Sequence, residues 1–178
     1  RGYLLKDSSG YMMVYMGSNA QLDYSVNDIL VITGVSQLYE GKMQFTYNSI
    51  NEIKKVDVSR ETLSIEEVGS TYLESFMSNV EYGKYVRFNA SLASESSNGK
   101  VYYNFYPTAS DVCVYSYYPY SSMLSSYSGQ QVIVEGFLWS LYNRVYIVVT
   151  DVSTASGSNQ DFDNTLCVLY NEDFKDVQ

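Results

Sequence analysis

At 178 residues, with 46% hydrophobic and 17% charged side chains, the chain can form one large or two small folded domains and is too apolar to be disordered. Eleven basic against twenty acidic groups give a net charge of −9, with no clustered Lys/Arg to hold a phosphate backbone, so nucleic acid is an unfavoured partner. Histidine is absent, which excludes Ser/His/Asp and Cys/His relays and imidazole metal ligands. The twenty tyrosines point to strands and aromatic faces, because the ring suits a half-buried pleated surface while its hydroxyl stays wet.

In chain order, residues 2–7 read as a strand, Ser8-Ser9-Gly10 as a tight turn and residues 11–16 as a second strand. Because Arg1-Gly2-Tyr3-Leu4 reads as a strand interior, the natural protein is expected to begin earlier, with room for a removed signal peptide. A polar stretch over 17–27 leads to the β-branched run 29–35, a turn over 38–42 and the alternating run 43–47, which makes four strands in a meander. Residues 64–77 change period. Ile65, Val68, Tyr72 and Phe76 fall on one helical stripe, and Ser64 with Glu67 has the form of a capping box.

Strands resume over 85–92, then 101–106 after the turn Asn98-Gly99, then 112–115. After a Tyr/Ser-rich connector over 116–128 come strands 132–139 and 145–149, joined at Tyr142-Asn143-Arg144. The two stretches read as one pattern twice: Val14-Tyr15 against Val114-Tyr115, Gly34 against Gly136, Leu38-Tyr39 against Leu141-Tyr142. From Ser153 the sequence reads as a linker, followed by a possible strand over 165–170 that could fill the place of an opening strand the first copy lacks. The expected architecture is all-β with one short helix: two five-stranded Greek-key barrels in tandem, over 1–61 and 62–153, with 154–178 as linker and the start of a further domain.

This order of elements resembles the OB-fold modules of secreted and lipid-anchored surface proteins of gut Bacteroidetes-type bacteria. Asp7, Gly10, Gly34 and Gly41 carry the resemblance as turn and strand-end residues, whereas Gly129-Gln130-Gln131 departs from the usual Gly-Asp lead-in. The resemblance implies an extracytoplasmic location, periplasmic or at the outer-membrane surface, and a non-catalytic accessory role. It also implies that residues 169–174 open a further, jelly-roll domain.

The sharpest candidate site is aromatic: Tyr115, Tyr117, Tyr118, Tyr120, Trp139 and Tyr142, where an OB barrel carries its ligand face and flanking loops. Such rings can stack on sugars or bases, or close the barrel mouth and pack modules together, so a glycan or protein partner is expected first. Single-stranded nucleic acid and a purely structural spacer are the alternatives. Lys6, Tyr11, Lys42 and Gln44 form a second candidate face that also reads as ordinary solvated surface. Asp161/Asp163 and Glu172/Asp173 lack calcium-loop spacing, so no metal and no cofactor are expected. Cys113 and Cys167 read as small buried hydrophobes, with a disulfide as the alternative. Asn89-Ala90-Ser91 has glycosylation form inside a strand. Asp7, Asp111 and Asp151 each sit at a strand end, with nothing to pair them as a catalytic dyad. No apolar run reaches the ~18 residues of a membrane span.

Overall fold

A computed structural model describes residues 2–17, 20–25, 28–58, 63–117 and 124–155. It divides into two compact units, Arg1–Ile65 and Glu66–Gln178, so the boundary falls just past the expected break after residue 61. The expected further strand over 165–170, Cys167, the acidic pairs and the start of a further domain lie outside the described residues.

In the second unit the strands are β7 (Glu66–Glu67), β8 (Tyr85–Ser97), β9 (Lys100–Pro107), β10 (Val114–Ser116), β11 (Gln130–Leu141) and β12 (Arg144–Thr154). The ladder runs β11-β12-β10-β9-β8, and β8 returns to pair with β11, closing a five-stranded, OB-like barrel with β7 added beside β8. All pairs within the ring are antiparallel except β10 with β12. Strict alternation explains the interior: Val86, Phe88, Ala90 and Leu92 of β8 point inward beside Phe105, Val114, Val132, Val134, Leu138 and Ile147. A bulge at Glu135/Gly136 bends β11. A β-carbon on Gly136 would strike the Val148 carbonyl and lie 2.7 Å from Ile147 Cγ1, so only glycine fits. The strand β12 extends to Thr154, past the expected start of the linker, and the Ala155 N–H still donates to the Gln131 carbonyl.

The helix is much shorter than the stripe predicted. Helix α1 spans Ser70–Ser75 and continues as a 3-10 turn over Phe76–Ser78, burying Leu73 and Phe76 completely. Glu66 and Glu67 pair instead with Val86 and Arg87 on β8, and the N-cap is Gly69 with no side-chain bond, so the expected capping box of Ser64 and Glu67 does not form. The competing attraction is on the sheet. Arg87 Nη1 donates to Glu67 Oε1 at 2.9 Å, and Gly69 is a poor residue for a helix interior.

The first unit contains β1 (Gly2–Asp7), β2 (Gly10–Tyr15), β3 (Ile29–Gly34), β4 (Gln37–Tyr39), β5 (Lys42–Thr46) and β6 (Ile50–Val56). They form a sheet β1-β2-β5-β4 and a separate pair β3-β6. The expected meander is wrong, because β2 and β5 run parallel and therefore require a crossover. A 3-10 turn, Tyr47–Ser49, splits the strand that is continuous as β12 in the second unit; Ser49 Oγ accepts from the Thr46 N–H and donates to its carbonyl. Tyr24 links the two sheets. Its ring lies 5.7 Å from that of Tyr3, and its hydroxyl donates to the Ile53 carbonyl.

The two units share a ladder register. Leu4, Met13, Gln44 and Gln37 are successive cross-strand partners over β1-β2-β5-β4. Asn104, Tyr115, Tyr146 and Trp139 are successive partners over β9-β10-β12-β11. Gly34 stands three residues before Gln37 as Gly136 stands three before Trp139, and a β-carbon on Gly34 would likewise strike a carbonyl, that of Ser49. The two-residue turns also coincide, with positive φ at Glu40 and Gly41 and at Tyr142 and Asn143. This register moves two expected matches: Met12-Met13, and not Val14-Tyr15, occupy the places of Val114-Tyr115, and Leu38-Tyr39 fall opposite Ser140-Leu141. Among the described residues β1 pairs only with β2, and β3 only with β6, so these pairings close no second ring.

Candidate binding face

The outward side of β9-β10-β12-β11 carries the aromatic group. Register places Asn104, Tyr115, Tyr146 and Trp139 in one row, since directly paired residues project to the same side of a sheet. The Tyr115 and Tyr146 rings are 5.4 Å apart and tilted, Tyr117 meets Tyr146 edge-on at 5.6 Å, and the Arg144 guanidinium sits 5.2 Å over the Tyr115 ring. Tyr82 packs edge-on against Trp139 at 4.9 Å. Although they face away from the barrel interior, Asn104, Tyr146 and Trp139 are at most 3% exposed. Tyr115, Tyr117, Tyr142 and Arg144 are half-buried and form the more accessible rim.

Of the residues predicted for this face, Tyr115 and Tyr117 are therefore brought together, Trp139 lies in the same row, and Tyr142 occupies the adjacent turn. Tyr118 and Tyr120 lie outside the described residues. Sequence reasoning missed Asn104, Tyr146, Arg144 and Tyr82. Three of them were recoverable: counting pairs back from a two-residue turn at Tyr142-Asn143 sets Leu141 opposite Arg144 and Trp139 opposite Tyr146, while Asn104 alternates with the inward Tyr103 and Phe105.

Below the ring, charges tie α1 to the sheet. Tyr72 donates to Glu81 Oε2 at 2.7 Å, and Lys84 bridges Glu81 (3.0 Å) and Glu66 (3.1 Å) while lying 4.4 Å over the Tyr72 ring. Burial, with help from that hydrogen bond, pushes the Tyr72 hydroxyl up to about 12. The bond from Tyr72 and the contact with Lys84 hold Glu81 below the ordinary carboxylate range, and Glu81 raises Lys84 in turn. Arg87 is raised by Glu135, to which its Nε donates at 2.7 Å, and by Glu67. These groups satisfy one another, which is the chemistry of a structural clasp.

The second predicted face fares differently. Lys6 and Tyr11 are cross-strand partners, with the Lys6 ammonium 5.9 Å from the Tyr11 ring centre. Lys42 is half-buried opposite Tyr39. Gln44 is only 8% exposed, packed in register between Met13 and Gln37, so it does not belong to a solvated surface. Asp7 shapes the first turn: its Oδ1 accepts from the Ser9 N–H (2.7 Å), the Ser9 hydroxyl (2.6 Å) and the Gly10 N–H (3.1 Å), which lowers its pKa. Asp111 lies in the loop before β10, and Asp151 stands opposite Glu135. Asn89-Ala90-Ser91 lies in β8, with Ala90 in the core. Cys113 is half-buried. Among the described residues no group of three or more acidic, cysteine or histidine side chains could hold a metal ion, and no helix is long and apolar enough to cross a membrane.

No family model matches the chain, and no curated protein matches it. Among solved structures, a crystal structure of the p204 HINb domain is similar over 85% of this chain and 82% of that chain, at 11% identity and a TM-score of 0.33. A second, described as "Structural mimicry for functional antagonism", is similar over 82% of this chain and 75% of that chain, at 7% identity and a TM-score of 0.33. Likeness at that level determines neither strand arrangement nor ligand; the barrel rests on its own pairings.

Proposed function

We propose that the chain is a non-catalytic binding module of a larger bacterial surface protein, working outside the cytoplasm, and that it takes a glycan on the aromatic face of its second unit. The first unit is, in this reading, a second copy of the same OB pattern. The repeated register, the paired glycines and the coincident turns support the tandem arrangement.

One observation carries the ligand reading. The rim of Tyr115, Tyr117 and Tyr142, backed by Tyr146 and Trp139, lies on the third strand and the loop between the fourth and fifth, where OB barrels bind oligosaccharides and oligonucleotides. Ring faces stack on the C–H faces of sugars without a positive field, and Arg144 supplies a hydrogen-bonding cation beside them. A net charge of −9 works against a phosphate backbone.

The test is a saccharide array followed by calorimetry on the wild type, Tyr115→Ala and Tyr117→Ala. Loss of one stacking ring should weaken binding by roughly tenfold, in line with about 1–3 kcal/mol per stacked ring. Absence of saccharide binding, or affinity unchanged in both variants, contradicts the glycan. Binding to single-stranded oligonucleotides that fades as salt rises would favour the nucleic-acid alternative instead.

A further inference from the structure

The alternation that turns Tyr103 and Phe105 of β9 into the core turns Tyr102, Asn104 and Tyr106 outward, with Asn104 paired to Tyr115. Tyr102 and Tyr106 are half-buried. Side chains two apart on a strand stand about 7 Å from one another, so the two rings are separated by about 13 Å, with the Asn104 amide midway. Tyr117 continues the β10 strand toward the Tyr102 end, and its N–H donates to the Ile147 carbonyl at 2.9 Å. Arg144 stands toward the Tyr106 end, since it precedes Val145, the partner of Val114, which in turn pairs with Phe105. The face is therefore a strip with phenol rings at both ends and an amide in its middle. The first unit shows that the ladder does not demand these residues. At the places of Tyr102, Asn104 and Tyr106, the strand β1 has Gly2, Leu4 and Lys6, and at those of Tyr115 and Tyr146 stand Met13 and Gln44. The rings belong to this face and not to the strand pattern.

We infer that this strip takes a linear, uncharged oligosaccharide along β9, with about three consecutive sugar units over Tyr102, Asn104 and Tyr106, one for each outward position, and the Tyr115 rim as a wall. The two outer rings stack on the C–H faces of their sugars. The Asn104 amide offers one carbonyl acceptor and two N–H donors to the hydroxyls of the middle unit, which a sugar ring matches because each hydroxyl both donates and accepts. The length of the strip selects a chain, since a single ring covers only one of the three positions. The charges select an uncharged one. A chain with a carboxylate on every unit needs a cation at each position, whereas the middle position here is a neutral amide, Glu95 is the cross-strand partner of Tyr102, and the net charge is −9. The inference rests on the glycan reading and specifies the length and charge of what is bound.

The experiment is calorimetry on the whole chain with oligosaccharides of two to six units prepared from xylan, mannan and β-glucan, beside galacturonan oligomers as the charged series. Affinity for one of the neutral series should rise at least tenfold from two units to four and then level off. Tyr102→Ala and Tyr106→Ala should each weaken the six-unit chain by roughly tenfold, as loss of one stacking ring does. Asn104→Leu, which installs the residue that Leu4 provides at the corresponding place of the first unit, should weaken it similarly; if that variant does not fold, the two tyrosine variants decide alone. Equal affinity for two and six units, with Tyr115→Ala weakening both, overturns this inference and leaves the glycan reading standing. Six-unit binding unchanged in Tyr102→Ala and Tyr106→Ala overturns it as well, and so does a preference for the galacturonan oligomers. If no saccharide binds at all, both readings fall.

Discussion

An antiparallel, a parallel and an antiparallel pair follow one another across β1-β2-β5-β4 as across β9-β10-β12-β11, and burial differs with whether, among the described residues, a fifth strand closes the row. With β8 in place the inner side chains are sealed, and Phe105, Leu138 and Ile147 are wholly inaccessible. Without such a strand, among the described residues of the first unit only Met13, Val14 and Gln44 are buried, and two of the three belong to the outward row. Alternation along each strand is thus enough to set the ladder, but burial depends on the neighbour that closes it. The difference is topological, since the residues at corresponding places are similarly apolar.

The largest effects should come from the inner side chains. Phe105→Ala removes a fully buried ring and should destabilise the second unit by about 3–5 kcal/mol. Leu5→Ala, at the corresponding place, removes a half-buried side chain and should change stability by only about 1 kcal/mol. Chemical denaturation followed separately in each unit checks the pair; equal losses would break the comparison.

Next come the bend glycines. Gly136→Ala forces a β-carbon onto the Val148 carbonyl and the Ile147 side chain inside a closed ring that cannot yield, for a loss of roughly 2–4 kcal/mol. Gly34→Ala meets the Ser49 carbonyl beside a 3-10 turn, on a strand paired along one edge among the described residues, where the backbone can shift, and about 1 kcal/mol is expected. Thermal unfolding of the two variants would sharpen the difference between closed and open ladders.

A smaller effect is confined to alkaline solution. The Tyr72 hydroxyl is raised from its ordinary 10.0 to about 12, so its contribution to the helix clasp is full below pH about 10 and is lost as the pH climbs through about 12. Ultraviolet titration of the wild type should show phenol ionisation extending to about pH 12, and Tyr72→Phe should reduce that late step by one phenol. A late step of unchanged amplitude in the variant would assign it to another tyrosine.

Much of this was legible in the residues. Period-two runs located β1, β2, β3, β5 and the five barrel strands, and Gly34 and Gly136 were matched to one another, though as the ends of apolar runs and not as the bulged positions they occupy. The strand β6 escaped because Ile50, Ile53 and Val56 are spaced by three, with exposed polar residues between them, and show no alternation. The helix was overestimated for the opposite reason: Ile65 and Val68 continue its stripe, but Glu66 and Glu67 gain backbone partners and an arginine on β8 that a periodicity count does not register. On the candidate face, Tyr115, Tyr117 and Trp139 could be grouped from composition. Their junction through Tyr146 required the register of β12 against both neighbours, which is long-range information.

Residue-resolved native-state hydrogen exchange on the whole chain tests the central contrast most directly, because a closed ring and an open ladder differ first in which edge amides are bonded. The account predicts that Val86, Phe88, Phe105, Val134 and Ile147 exchange only through global opening of the second unit, while β1 and β3 exchange orders of magnitude faster along their outer edges. Protection of β1 and β3 equal to that of β9 and β11 would contradict it.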